Sequence, residues 1–314
     1  MTRHLWLTSA ACAAVVLGAG TASADNLRFM TGPQGGSWYP MGGAIKSVVE
    51  EAVPDTSLQV MPGAGIANVK AIEAGKADIA FANSVSTVDA IEGNPPFDEK
   101  ATNVCHLATL YPQYFQIVAT ANSGVESLDQ LKGHALTTQP SGNTGEAITA
   151  HMLKAAGLSY DDLSSADFVS YNDSVALLKD GNSEVFTLGT TVPASAIMDL
   201  ASARDIKLLP VDDAMLAKMQ ELNPGYQRIE IPAGSYPGQD EAVPTIGYAT
   251  HVIARCDLPD ATVTGILEQI VDHQQDLASV ASAIGKTTLE QMAADIGVPM
   301  HKAAARFWQE QGAM

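Results

Sequence analysis

Two glycine- and hydroxyl-rich tracts carry most of the chemistry this sequence offers. Residues 32–43 read Gly-Pro-Gln-Gly-Gly-Ser-Trp-Tyr-Pro-Met-Gly-Gly, between an apolar strand-like run at 27–30 and a helical pattern from Ala44 to Glu50. Residues 139–145 read Gln-Pro-Ser-Gly-Asn-Thr-Gly, between a strand at 134–138 and a helix over 146–156. At a strand-to-helix turn the first amide N–H groups have no carbonyl partner inside the helix. They face outward at the positive end of the helix dipole, where a carboxylate or phosphate is stabilised. Ser37, Ser141, Asn143 and Thr144 add side-chain hydrogen-bonding groups, Gly145 leaves backbone bare, and Trp38 and Tyr39 supply flat walls and one hydroxyl. Ordinary capping and tight turning explain either tract alone. Two of them facing one cleft point to a shared ligand.

Three smaller turns occupy equivalent strand ends. They are Met61-Pro62-Gly63-Ala64-Gly65-Ile66-Ala67-Asn68, Asn83-Ser84, and Thr190-Thr191-Val192-Pro193. Open α/β sheets bind ligands beyond the carboxyl ends of their strands, so Asn68, Asn83, Ser84, Thr190 and Thr191 join the candidate binding residues. None of these loops contains Arg or Lys. An anion there is held by backbone N–H groups and neutral side chains, each hydrogen bond to a charged group contributing roughly 1.5–3 kcal/mol. Catalytic signals are weak: there is no G-x-S-x-G elbow, Walker loop or G-x-G-x-x-G tract. The histidines at 106, 134, 151, 251, 273 and 301 form no H-x-H or H-x-x-x-H pair, so neither a metal nor another cofactor is expected. His251 reads as a core histidine. The chain reads as a binder and not an enzyme.

The elements that must position these turns alternate between strand and helix, which implies an α/β sheet with right-handed crossovers. Two long extended stretches, 104–120 and 245–254, break the alternation. They read as paired strands crossing between two lobes. Residues 25–115 with 245–314 form the first lobe on this reading, and 120–240 the second, with the ligand cleft between them.

Residues 1–24 read as a secretory leader: Arg3 and His4, an apolar run over 5–20, then Ala22-Ser23-Ala24 for cleavage after Ala24. A bacterial periplasm is the expected destination. Losing Arg3 leaves 16 Lys+Arg against 35 Asp+Glu, a charge of −19. That field disfavours nucleic acid and anionic lipid as partners. Cys105 and Cys256 remain after processing. In an oxidising compartment they pair; two separately buried thiols is the other reading.

Seven ordered blocks match one family. They include Thr31-Gly32 with Gly35-Gly36-Ser37-Trp38-Tyr39-Pro40, Ala74-Gly75-Lys76-Ala77-Asp78-Ile79-Ala80-Phe81, Leu110-Tyr111-Pro112, Leu128-Asp129-Gln130-Leu131-Lys132-Gly133, the 141–145 loop, and Ile231-Pro232-Ala233-Gly234-Ser235-Tyr236-Pro237-Gly238-Gln239-Asp240. Across nearly the whole mature length the chain resembles the TAXI-type solute receptors of TRAP transporters. The resemblance implies a two-lobe, type II-like periplasmic-binding-protein fold, acting as a monomer without cofactor. It implies a partner permease, normally a fused subunit driven by a sodium or proton gradient. It also implies a small organic anion such as glutamate, 2-oxoglutarate or another dicarboxylate. The sequence departs from that family at Trp38, where tyrosine is common, at Asn143, where a small residue is common, and over 187–191. A receptor of an ABC importer is the nearest alternative, followed by an enzyme on the same fold.

Overall fold

The protein is described from a computed structural model, which covers residues 25–32 and 36–314. The expected leader and the loop positions Pro33, Gln34 and Gly35 lie outside the described residues. The strands are β1 (Asp25–Met30), β2 (Thr56–Met61), β3 (Ile79–Asn83), β4 (Val104–Thr120), β5 (Ala135–Thr138), β6 (Ser165–Phe168), β7 (Val185–Thr190), β8 (Ile206–Leu208), β9 (Gln227–Ile231) and β10 (Val243–Arg255). The helices are α1 (Trp38–Ala52), α2 (Gly65–Glu73), α3 (Ser84–Glu92), α4 (Thr144–Ala155), α5 (Tyr171–Asp180), α6 (Ser195–Ala201), α7 (Asp213–Leu222) and α8 (Asp260–Asp272), then the short α9 (Gln274–Leu277) and α10 (Leu289–Met292), and α11 (Lys302–Glu310).

One sheet runs in the order β2-β1-β3-β10-β4-β7-β5-β6. β1, β2 and β3 are parallel, as are β5, β6 and β7, whereas β10 is antiparallel to both β3 and β4. The two crossing strands are therefore neighbours at the centre of the sheet, 17 and 13 residues long. At about 3.3 Å per residue, each is long enough to serve both lobes. The buried side chains form separate clusters on either side of this pair. Leu27, Phe29, Trp38, Tyr111, Val252 and Trp308 belong to one, and Phe115, Ile148, Met152, Val185 and Tyr248 to another. This is the two-lobe α/β architecture of periplasmic binding proteins.

The structure corrects the start of the first helix. The sequence pattern places it at Ala44, because Pro40, Gly42 and Gly43 look like loop; the helix begins at Trp38. Proline fits the first turn because its missing N–H would be unpaired there anyway. Gly42 is required by packing: a Cβ at this position would lie 2.3 Å from the Thr31 methyl group. Trp38, Met41, Ile45 and Val49 make the buried stripe. The structure also adds β9 and the helices after residue 255, which the alternation pattern did not define. It settles the cysteine question as well: Cys105 and Cys256 are joined, pinning the start of β4 to the end of β10.

Candidate functional site

Four helix starts from both lobes surround one cavity of about 50 Å³. The first lobe presents α1 through Gly36, Ser37 and Trp38, α2 through Ala64 and Gly65, and α3 through Asn83. The second presents α4 through Asn143, Thr144 and Gly145. At none of the four does the residue preceding the helix cap it with a side chain. Some other helices are capped, Ser170 serving α5, Asp212 α7 and His301 α11, while α6, α8 and α9 are not. Asn143 is a good capping residue used otherwise, its amide donating to the Pro140 carbonyl at 3.0 Å. Four uncapped helix starts therefore face the cleft; α1, α2 and α3 carry no acid in their first turns, whereas α4 carries Glu146. Negative charge is stabilised at such a point.

The lobes touch across the cavity. Ser86 Oγ of α3 and Thr144 Oγ1 of α4 hydrogen-bond at 2.8 Å. This approach needs Gly65, since a Cβ there would sit 2.2 Å from Thr144 Oγ1. The central strands form the floor, where Thr250 Oγ1 accepts from Trp38 Nε1 at 3.2 Å and from Gln113 Nε2 at 2.6 Å. The Tyr111 hydroxyl is buried without a partner, and burial pushes its phenol up to about 12. Tyr171 donates to the Gly189 carbonyl at 2.9 Å. Burial also raises the phenols of Tyr171 and Tyr248 well above their ordinary range, so both stay neutral donors at any physiological pH. Among the described residues lining the cavity, none is Asp, Glu, Lys, Arg or His. The cavity thus presents oriented dipoles and no formal charge.

A larger cavity of about 600 Å³ lies among Val88, Pro112, Ile229, Ala249 and Ile296. Its lining is mostly apolar, and Ser84 and Tyr248 are on its wall. Both lobes also line this larger cavity, which carries Glu92, Arg228 and Asp295; the smaller cavity is the better candidate because four helix starts open onto it.

The NMT1-like family model matches residues 29–312. The chain belongs to the NMT1-like family. Solved structures share its architecture at low identity. One titled as a periplasmic transporter aligns with a TM-score of 0.53 at 11% identity, covering 93% of this chain and 94% of that one. A putative L-cystine ABC transporter from Listeria monocytogenes gives 0.51 at 13%, over 83% and 96%. XAC2383 from Xanthomonas citri, bound to chloride ion, gives 0.50 at 13%, over 92% and 96%. These establish the fold. The match is to the NMT1-like family at large, a coarser statement than the TAXI-type resemblance of the motif blocks.

In this NMT1-like protein Ser37, Trp38, Asn83, Asn143, Thr144, Gly145 and Thr190 come together around the cavity. Trp38 is both wall and core, its ring 5.8 Å from that of Phe81. Five other candidates stand outside the lining. Asn68 is buried and fully used as a tether: its Oδ1 accepts from Ala64 N, and its amide donates to the carbonyls of Thr31 and Phe81. Ser84 accepts from Ala249 N at 3.0 Å. The Thr191 carbonyl accepts from Gln116, Ser141 is exposed on the outer side of the lobe junction, and Tyr39 is partly exposed in the first turn of α1. Sequence reasoning missed Gln113, Gln139, Tyr171 and Tyr248. Gln139 stands inside a quoted tract and was legible. The other three lie on a crossing strand or at a helix start, where nothing local marks which face they present.

His251 is a core histidine, as expected. Thr87 Oγ1 donates to the Asn83 carbonyl, so His251 Nε2 must donate to Thr87 Oγ1 at 2.8 Å. His251 Nδ1 is then the acceptor for His106 Nδ1–H at 3.0 Å. This leaves His106 Nε2 as a buried lone pair without a partner. Burial pushes His106 down to about 4 and His251 well below its ordinary value. Among the described residues no group of His, Cys, Asp and Glu could hold a metal ion.

Proposed function

We propose that this chain is an exported solute receptor that closes its two lobes over a small organic anion and delivers it to a membrane transporter. The observation that carries the reading is the convergence of four uncapped helix starts, from both lobes, on a cavity with no charged lining residue among those described. Four or five hydrogen bonds of roughly 1.5–3 kcal/mol each hold an anion without a salt bridge. Because donors come from both lobes, the anion binds the closed state better than the open one and shifts the population toward closure. The leader-like N-terminus and the binding-protein fold support a periplasmic location. Calorimetric titration with a panel of organic anions and their neutral analogues tests the reading, which fails should only neutral or cationic solutes bind.

Two kinds of transporter fit. Solved proteins of this fold include one titled as an ABC transporter component, which favours an ABC importer. The motif blocks favour a TRAP-type permease driven by an ion gradient. Uptake of labelled solute in cells separates them: ATP depletion with the gradient intact stops the first, and an ionophore stops the second.

A further inference from the structure

Asn83 is only 6% exposed and its side chain is hydrogen-bonded to nothing, Oδ1 being buried without a partner. The residue lines the cavity. Its amide stands over the start of α2, where a Cβ on Gly65 would lie 3.1 Å from Asn83 Nδ2. A buried carbonyl oxygen left unpaired is costly, and folded proteins nearly always satisfy such groups. A ligand that donates a hydrogen bond at this point completes the site.

The rest of the lining limits what the donor can be. No acidic residue is present to pair an ammonium, and burying a charge without a partner is strongly unfavourable. With no Lys or Arg in the lining, a second carboxylate would have to share the same helix-start amides as the first, and the chain already carries an excess of 18 negative charges. The volume, about 50 Å³, seats about four water molecules, which suits a solute of about six heavy atoms better than one of ten. We propose that the solute is a small hydroxy-monocarboxylate, its carboxylate held by the helix-start amides and its hydroxyl donating to Asn83 Oδ1. This rests on the anion-receptor reading above and narrows the dicarboxylate expectation drawn from the resemblance.

Calorimetry of the purified protein with 2-hydroxypropanoate, propanoate, 2-hydroxybutanedioate and alanine tests it. We expect 2-hydroxypropanoate to bind at least tenfold more tightly than propanoate, and the dicarboxylate and the amino acid at least a hundredfold more weakly. In Asn83→Ala the ratio of hydroxy acid to deoxy acid falls toward one. Asn83→Asp, which keeps the shape and adds a negative charge, weakens both acids. Equal binding of the hydroxy and deoxy acids, or tighter binding of the dicarboxylate or of alanine, overturns the hydroxyl assignment while leaving the anion receptor intact. Binding of a neutral analogue such as 2-hydroxypropanamide with neither acid overturns both.

Discussion

Replacing Gly65 with alanine places one methyl group where the two lobes meet. The new Cβ would lie 2.2 Å from Thr144 Oγ1, more than 1 Å inside an ordinary contact of about 3.5 Å. Thr144 could turn away only by giving up its 2.8 Å hydrogen bond to Ser86, worth about 1 kcal/mol. Overpacking a tight contact adds about 1–3 kcal/mol. Closure is therefore penalised by about 2–4 kcal/mol, a loss of about 30- to 1000-fold in affinity. An opened arrangement that parts Gly65 from Thr144 would feel none of this. Gly65 is the first residue of α2 and is absent from the positive-φ glycines; alanine suits a helix better than glycine by roughly 0.5–1 kcal/mol. Gly65→Ala should thus keep or slightly raise the melting temperature of the ligand-free protein while weakening the ligand sharply. Calorimetry and thermal unfolding on one preparation measure both. Wild-type affinity in Gly65→Ala refutes the argument, because the ligand-bound state would then not need this approach.

Asp89 of α3 is buried, and desolvation pushes its carboxyl up to about 6, with Asn223 and Tyr226 of the other lobe close by. A raised carboxyl value means stability is fully present below about pH 4 and is lost as pH rises through 6. The penalty at pH 8 is at most about 3 kcal/mol, reduced by solvent screening, so Asp89→Asn should raise the melting temperature at pH 8 and change it little at pH 4. The buried His106–His251 pair acts in the opposite sense. Its lowered values give stability that is present above about pH 6.5 and lost as pH falls through 4, so His106→Gln should flatten the acid limb of a melting-temperature profile even if it is less stable at pH 8. The Cys105–Cys256 link closes a loop spanning a sequence separation of 151, for which chain entropy gives about 5 kcal/mol at most; the double serine variant should unfold at markedly lower urea, with unchanged affinity at low temperature.

Much of the architecture was legible because it is local or periodic. Alternating strand and helix patterns identified the α/β class, and two long extended runs stood out as central strands, found as β4 and β10. The tracts at 32–43 and 139–145 did lead into helices whose starts, at Ser37 and Thr144, line one cavity. What failed was also physical. Pro40 and Gly42 read as loop, yet they begin a helix because a missing N–H is harmless in a first turn and a missing Cβ lets the helix rest on Thr31. Asn68 and Ser84 have the right types in the right turns, but backbone partners already occupy their side chains. A polar residue beside a cleft is a ligand group only if the fold leaves it unpaired, and pairing is a three-dimensional property.

By itself the sequence determined the class of fold, the two glycine-rich helix starts and the absence of positive charge from their loops, since these depend on residue type and spacing along the chain. Only the tertiary structure decided that Asn83 goes unpaired, that Thr144 reaches Ser86 across the lobes, and that Gln113, Tyr171 and Tyr248 complete the cavity. Those facts depend on groups far apart in the chain meeting at hydrogen-bond distance, and strand register and helix rotation, which no short stretch of sequence encodes, set whether they meet.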